Sequence, residues 1–132
     1  MQRLPHIYFG YSNINGRGVF TSEPIAAGTL IEICPVIILP KEDLPVIHQT
    51  YLHDYYFFWG EGEDQCAIAL GFGSLYNHAY DANAEYILDL DENTIDFYSV
   101  KDIEAGAEIT VNYNGFPDDT TPVWFHNPDY KR

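Results

Sequence analysis

Short apolar blocks, cut by glycine and proline, run the length of this chain and favour many short strands over long helices. The stretch "GRGVFTSEPIAAGTLIEICPVIIL" reads as strand, turn, strand. Val19 and Phe20 lie in the first strand, Pro24 to Gly28 make the turn, and Leu30 to Leu39 form a β-branched run suited to burial on both faces. Asp43 to Thr50 suits a short helical turn, and the aromatic stretch "YLHDYYFFW" a strand, because rings favour strands. "CAIAL" reads as another strand, and "GFGSLYNHA" as a turn with one helical turn at most. "AEYILDLDENTIDFYSV" predicts a hairpin with arms Glu85–Leu90 and Ile95–Val100 around "DEN". A turn at Gly106 then leads into a strand over Glu108–Tyr113. The tail "FPDDTTPVWFHNPDYKR", with three prolines and a Trp-Phe pair, reads as an irregular segment docked by its aromatics.

The length, 132 residues, suits one domain with one core, and 46% hydrophobic with 16% aromatic residues can fill it. No apolar run approaches the ~20 residues of a membrane span. The longest, "LIEICPVIIL", is broken by Glu32 and Pro35. The N-terminus lacks a signal peptide's apolar stretch, so a cytoplasmic or otherwise intracellular location is expected. Cys34 and Cys66 have no partner at zinc spacing; they read as buried thiols or as one disulfide, and no metal site is expected. Charge changes the picture most. Six Lys+Arg face twenty Asp+Glu, a formal net of −14, and between Glu42 and Val100 there is no lysine or arginine. Such a field repels nucleic acid and anionic lipid and attracts basic partners, besides keeping a small protein soluble.

Three motifs follow one another: "GRGVF" at Gly16–Phe20, "YNHAYDANA" at Tyr76–Ala84 and "AEITVNY" at Ala107–Tyr113. In this order and spacing they resemble the SET domain of protein lysine methyltransferases, over nearly the whole chain, and most of all its small bacterial and viral members. The resemblance implies a mostly β fold of the β-clip type: several short twisted sheets, little helix and a C-terminal pseudoknot. Residues 1–132 would be a single SET domain, with a variable insert at about 40–65 and a tail at 114–132 closing the cofactor site. Ala79, Tyr80 and Ala82 stand where the family usually has serine, cysteine and proline, and the zinc-binding cysteines of many eukaryotic members are absent.

The activity implied is methyl transfer from S-adenosylmethionine to the ε-amine of a lysine, with no metal. Gly16 and Gly18 would let backbone approach the cofactor, because no Cβ intervenes. Arg17 between them would pair with the cofactor carboxylate, or stand as a solvated surface residue. Asn77 suits the zwitterionic aminoacyl group, since an amide both donates and accepts. His78 would bond the adenine edge through its backbone and lock the loop, with Asn83 serving that lock. Trp124 and Phe125 would close over the adenine. Tyr113 is the expected catalytic tyrosine, its hydroxyl beside the transferring methyl, with Tyr55 of "DYYF" as a second. Tyr51 and Tyr56 would help line the lysine channel, where rings hold cations and pack alkyl stems. Val111 would leave room for more than one methyl.

The expected partner is a basic, lysine-containing protein such as a histone tail, with no nucleic acid or membrane. Exposed aromatics would suit a homodimer, and a member from a pathogen or virus would act in a host cell. A non-catalytic SET-like module that docks basic partners, and an unrelated β-clip sugar- or nucleotide-binding domain, are the competing readings. Phosphate-loop, GxSxG and HExxH motifs are missing.

Overall fold

The computed structural model describes residues 2–115 and residue 120. Nine strands form two sheets: β1 (Ile7–Tyr11), β2 (Arg17–Thr21), β3 (Leu30–Leu39), β4 (Tyr56–Trp59), β5 (Gln65–Ala69), β6 (Asn77–His78), β7 (Ala84–Asp89), β8 (Thr94–Ser99) and β9 (Glu108–Val111). One sheet has the order β1-β2-β9-β6 and the other β4-β5-β3-β8-β7. The fold is mostly β, as the punctuated pattern implies. The only helical pieces among the described residues are two short 3-10 turns and the single α-turn Leu44–Ile47.

Several expectations change in the structure. β1 is a strand that the alternation of the sequence does not announce, since only Ile7 of its five residues is buried. It forms because its backbone pairs with β2 in register from Ile7↔Thr21 to Tyr11↔Arg17. β3 has the expected bounds, but its double burial ends at Cys34, and Ile37 is 51% exposed. The strand changes partner in mid-course: Leu30 to Pro35 pair with β8, and Val36 to Leu39 with β5. "YLHDYYFFW" is a strand only from Tyr56. Tyr51–Asp54 is a 3-10 turn, because the Thr50 hydroxyl accepts the Leu52 N–H and donates to the Ile47 carbonyl. That local cap outweighs the strand preference of the rings. Asn77–His78, expected inside a turn, is a short strand parallel to Thr110–Val111. β9 ends at Val111, two residues before the expected end, which leaves Tyr113 in the turn that follows it.

The core lies between the sheets, where Tyr76 stacks on Phe97 at 4.1 Å and Val19, Ile31, Ile95 and Ile109 are fully buried. Both cysteines are buried free thiols, and burial raises both pKa values, with the Glu32 charge adding to the rise at Cys34. Among the described residues no group of three or more His, Cys, Asp and Glu suits a metal ion, and no helix is long and apolar enough to cross a membrane.

Candidate active site

The three motifs meet where β6 joins β9. Asn77 is 5% exposed, and its Nδ2 donates to the Asn15 carbonyl at 3.0 Å, the Arg17 carbonyl at 3.3 Å and Glu108 Oε2 at 2.9 Å. Glu108 Oε1 accepts the Ser12 hydroxyl at 2.6 Å, and the same Ser12 oxygen accepts the Ile14 and Asn15 N–H groups. The Ser12–Gly18 loop is thereby tied to β6 and β9. Gly18 has its own reason to lack a side chain: a Cβ there would stand 2.3 Å from Glu108 Oε2 and 2.9 Å from Asn77 Nδ2. Gly16 turns the loop at φ +48, and a Cβ there would meet nothing within 4 Å. Arg17 is exposed, its guanidinium 5.6 Å from the centre of the Phe9 ring.

An aromatic cavity of about 620 Å³ is walled by Tyr55, Tyr56, Phe57, Phe58, Tyr76, Tyr86 and Tyr113, with Asp54, Glu63, His48 and His53 also in its lining. His78 joins the two parts. Its Nδ1 accepts the Tyr113 backbone N–H at 3.0 Å, which makes Nε2 the protonated nitrogen of the neutral ring, and its ring lies 5.2 Å from that of Tyr113. The Tyr113 hydroxyl donates to the Tyr76 carbonyl at 2.8 Å, and the Tyr86 hydroxyl donates to the Tyr113 carbonyl at 3.4 Å. Asn83 ties the same corner, its amide donating to the Glu108 carbonyl and accepting from the Thr110 N–H. The turn keeps its order without the hydroxyl absent at Ala79, because the Ala79 N–H bonds the Val111 carbonyl.

Of the aromatics expected around a lysine, Tyr55 and Tyr56 line the cavity; Tyr55 is 43% exposed, and the Tyr56 hydroxyl bonds His48 Nδ1 at 2.9 Å. Tyr51 does not: it is 93% exposed and stands outside the cavity, because the 3-10 turn rotates it away. Val111 is 1% exposed and packs in the core instead of the cavity wall. Trp124 and Phe125 lie outside the described residues.

Burial is the leading cause of raised pKa values at Tyr113, Tyr86 and Tyr76. Tyr86 is pushed up to about 12, with the Glu63 charge adding to the rise. Tyr113 is pushed well up, the nearby Tyr55 adding to desolvation, and so stays a neutral phenol near pH 7. The folded chain thus holds these protons more tightly than the unfolded one. Stability is held in full below the ordinary phenol value near pH 10 and falls as pH rises through the folded values, by about 1.4 kcal/mol per pH unit per tyrosine. Urea midpoints followed between about pH 9 and pH 12 should show that fall, and Tyr86→Phe should remove one proton from its slope.

A family model described as "SET domain" matches residues 16–114. The chain belongs to the SET domain family. It is 39% identical over 113 residues to a Schizosaccharomyces pombe protein named histone-lysine N-methyltransferase, H3 lysine-37 specific, covering 85% of this chain and 71% of that one. Among solved structures, a candidate histone methyltransferase of Plasmodium falciparum superposes with a TM-score of 0.67 at 33% identity, over 86% of this chain and 95% of that one. A Polycomb Repressive Complex 2 of Chaetomium thermophilum, a humanized mutant bound to an inhibitor, shares the fold with a TM-score of 0.69 at 22% identity, over 89% of this chain and 16% of that one. This SET domain is a protein-lysine N-methyltransferase, and the family's methyl donor is S-adenosylmethionine.

Within the SET domain, sequence reasoning misses Glu108, Tyr76 and Tyr86. Glu108 opens the "EITVNY" motif, but only the pairing of β9 with β2, Phe20↔Glu108, brings its carboxylate beneath Gly18. Tyr76 opens the "YNHAYDANA" motif without having been assigned a role, and Tyr86 carried no signal beyond being one of eleven tyrosines.

Proposed function

We propose that this enzyme methylates a lysine presented by a basic protein segment such as a histone tail, and that the aromatic cavity receives the lysine while the Ser12–Gly18 loop and Asn77 seat the methyl donor. The bound donor would supply a methyl on a sulfonium, open to in-line attack by an amine. The observation that carries the reading is Tyr113, placed on the cavity wall with its hydroxyl proton already given to the Tyr76 carbonyl. In this place the hydroxyl oxygen would accept from an amine N–H that enters the cavity. That contact turns the nitrogen lone pair away from the phenol, and such orientation contributes several kcal/mol to a displacement.

The residues around Asn77 fit an aminoacyl group. Because Nδ2 is committed to three protein oxygens, Asn77 can offer only Oδ1, an acceptor suited to an ammonium. Arg17, in the same loop, supplies a cation suited to a carboxylate. His78 holds the Tyr113 backbone, and Tyr55 and Tyr56 pack against the lysine stem. The aromatic part of the wall disfavours a charged amine by desolvation and so favours the neutral nucleophile, while Asp54 and Glu63, which also line the cavity, would attract the lysine as a cation on entry. Twelve acids and no lysine or arginine between Glu42 and Val100 would draw in a basic segment. The homologue named for a histone lysine supports that substrate class and an intracellular site of action.

The test is incubation with methyl-labelled S-adenosylmethionine and a mixture of histones and other basic proteins, followed by mass spectrometry. Label on lysine, weakening as salt rises, is expected. Cofactor binding by calorimetry with no label on any lysine would leave a non-catalytic module as the reading.

A further inference from the structure

Glu32 is a buried carboxylate that none of the chemistry above uses. Its side chain is 3% exposed, in the half of β3 that pairs with β8. Oε1 accepts the Tyr76 hydroxyl at 2.8 Å, and Oε2 accepts the Phe72 backbone N–H at 3.0 Å. Arg3 Nη1 is 3.7 Å from Oε2, and its guanidinium lies 4.2 Å from the centre of the Phe72 ring. Gly71 turns there at φ +64, and a Cβ on it would stand 2.4 Å from Oε2. The chain from Gly71 to Tyr76 is therefore wrapped on one carboxylate and gripped at both ends.

That segment ends where the catalytic tyrosine is held. Tyr76 gives its hydroxyl to Glu32 and its carbonyl to the Tyr113 hydroxyl, so a single residue links the carboxylate to the phenol. The Tyr76 ring is fixed between them by stacking on Phe97. A core that wanted only volume at position 32 would do better with an apolar side chain, since burying a carboxylate is costly unless its bonds are needed. We infer that Glu32 is a positioning residue for methyl transfer, which sets the Tyr113 hydroxyl in the cavity through Tyr76 and the Gly71–Tyr76 segment. The inference rests on Tyr113 acting as the catalytic tyrosine. A misplacement of the order of 1 Å at a reacting group can cost about 10²-fold in rate even when the change is made far from the chemistry.

Glu32→Gln keeps the size but offers one acceptor where two donors converge. Tyr76→Phe keeps the ring stack and the carbonyl and removes only the hydroxyl. Both are made in the full chain and read in two ways. Per folded molecule, kcat should fall by about 10-fold to 10²-fold while KM for S-adenosylmethionine stays within about twofold. In ¹³Cζ-tyrosine NMR, the Tyr113 resonance, assigned by its loss in Tyr113→Phe, should shift in both variants. If Glu32→Gln does not fold, Tyr76→Phe carries both readouts. A Tyr113 resonance at its wild-type position with unchanged kcat would overturn the inference, as would kcat and KM changing in parallel with lost stability. The NMR arm separates the two readings. A wild-type chain that transfers no methyl would sink the role of Tyr113, yet a shifted resonance would still place Glu32 behind its position.

Discussion

Replacing Tyr113 with phenylalanine is expected to lower kcat by about 10² to 10³-fold and to leave S-adenosylmethionine affinity within about twofold. The ring keeps its seat, because it packs 5.2 Å from His78 and the His78 bond goes to the Tyr113 backbone. What is lost is the oxygen proposed to orient the amine, together with the bond to the Tyr76 carbonyl. That bond contributes about 1 kcal/mol to stability, too little to unfold the domain. Stopped-time assays with labelled cofactor, alongside calorimetry of cofactor binding, check both halves of the expectation. A variant that labels lysine as fast as the wild type removes Tyr113 from the mechanism.

Asn77→Asp should be strongly destabilising despite its near-equal size. The aspartate cannot donate, so the Asn15 and Arg17 carbonyls and Glu108 Oε2 each lose a partner. It also sets a second carboxylate against Glu108 in a largely buried place. One acid of such a pair is held protonated well above the usual carboxylate range. The cost at neutral pH should be about 3 kcal/mol or more, the range for an uncompensated buried charge. The sign with pH follows from linkage. The folded variant binds a proton that the unfolded chain releases, so the damage is greatest near neutrality and eases as pH falls through the raised value. Thermal melts from about pH 4 to pH 8 should show the variant approaching the wild type only at the acid end. Cofactor affinity should fall by about tenfold or more, since the loop that carries Arg17 is no longer tied down.

Much of the fold was legible in the linear pattern, and the reasons are local. The hairpin of β7 and β8 lies within one residue of its expected arms, because a polar side chain at the end of β7 closes the turn locally: Asp89 Oδ1 accepts the Asp91 and Glu92 N–H groups of "DEN". β3 and the turn at Gly28 were readable for the same kind of reason. β1 and β6 were not. Neither has an alternating face; β1 exists because the next strand, β2, supplies its hydrogen bonds, and β6 because β9, some thirty residues on, supplies them. The strand reading over Tyr51–Asp54 failed for the opposite cause, a hydroxyl cap at Thr50 that composition does not weigh.

The sequence by itself determined the chemistry on offer: the order of the Gly-x-Gly, Asn-His and terminal tyrosine motifs, the acidic field, and Asn77, His78 and Tyr113 as residues to watch. Only the tertiary structure decided what each does. Gly18 is small for the sake of Glu108, ninety residues away in the chain, and Asn77 spends its donors on the protein. Tyr113 owes its hydroxyl orientation to Tyr76, and Val111 belongs to the core. The physical reason is common to all four. A motif fixes which groups are present, but which of two polar atoms is satisfied, and by whom, depends on strand pairings that close loops of tens of residues.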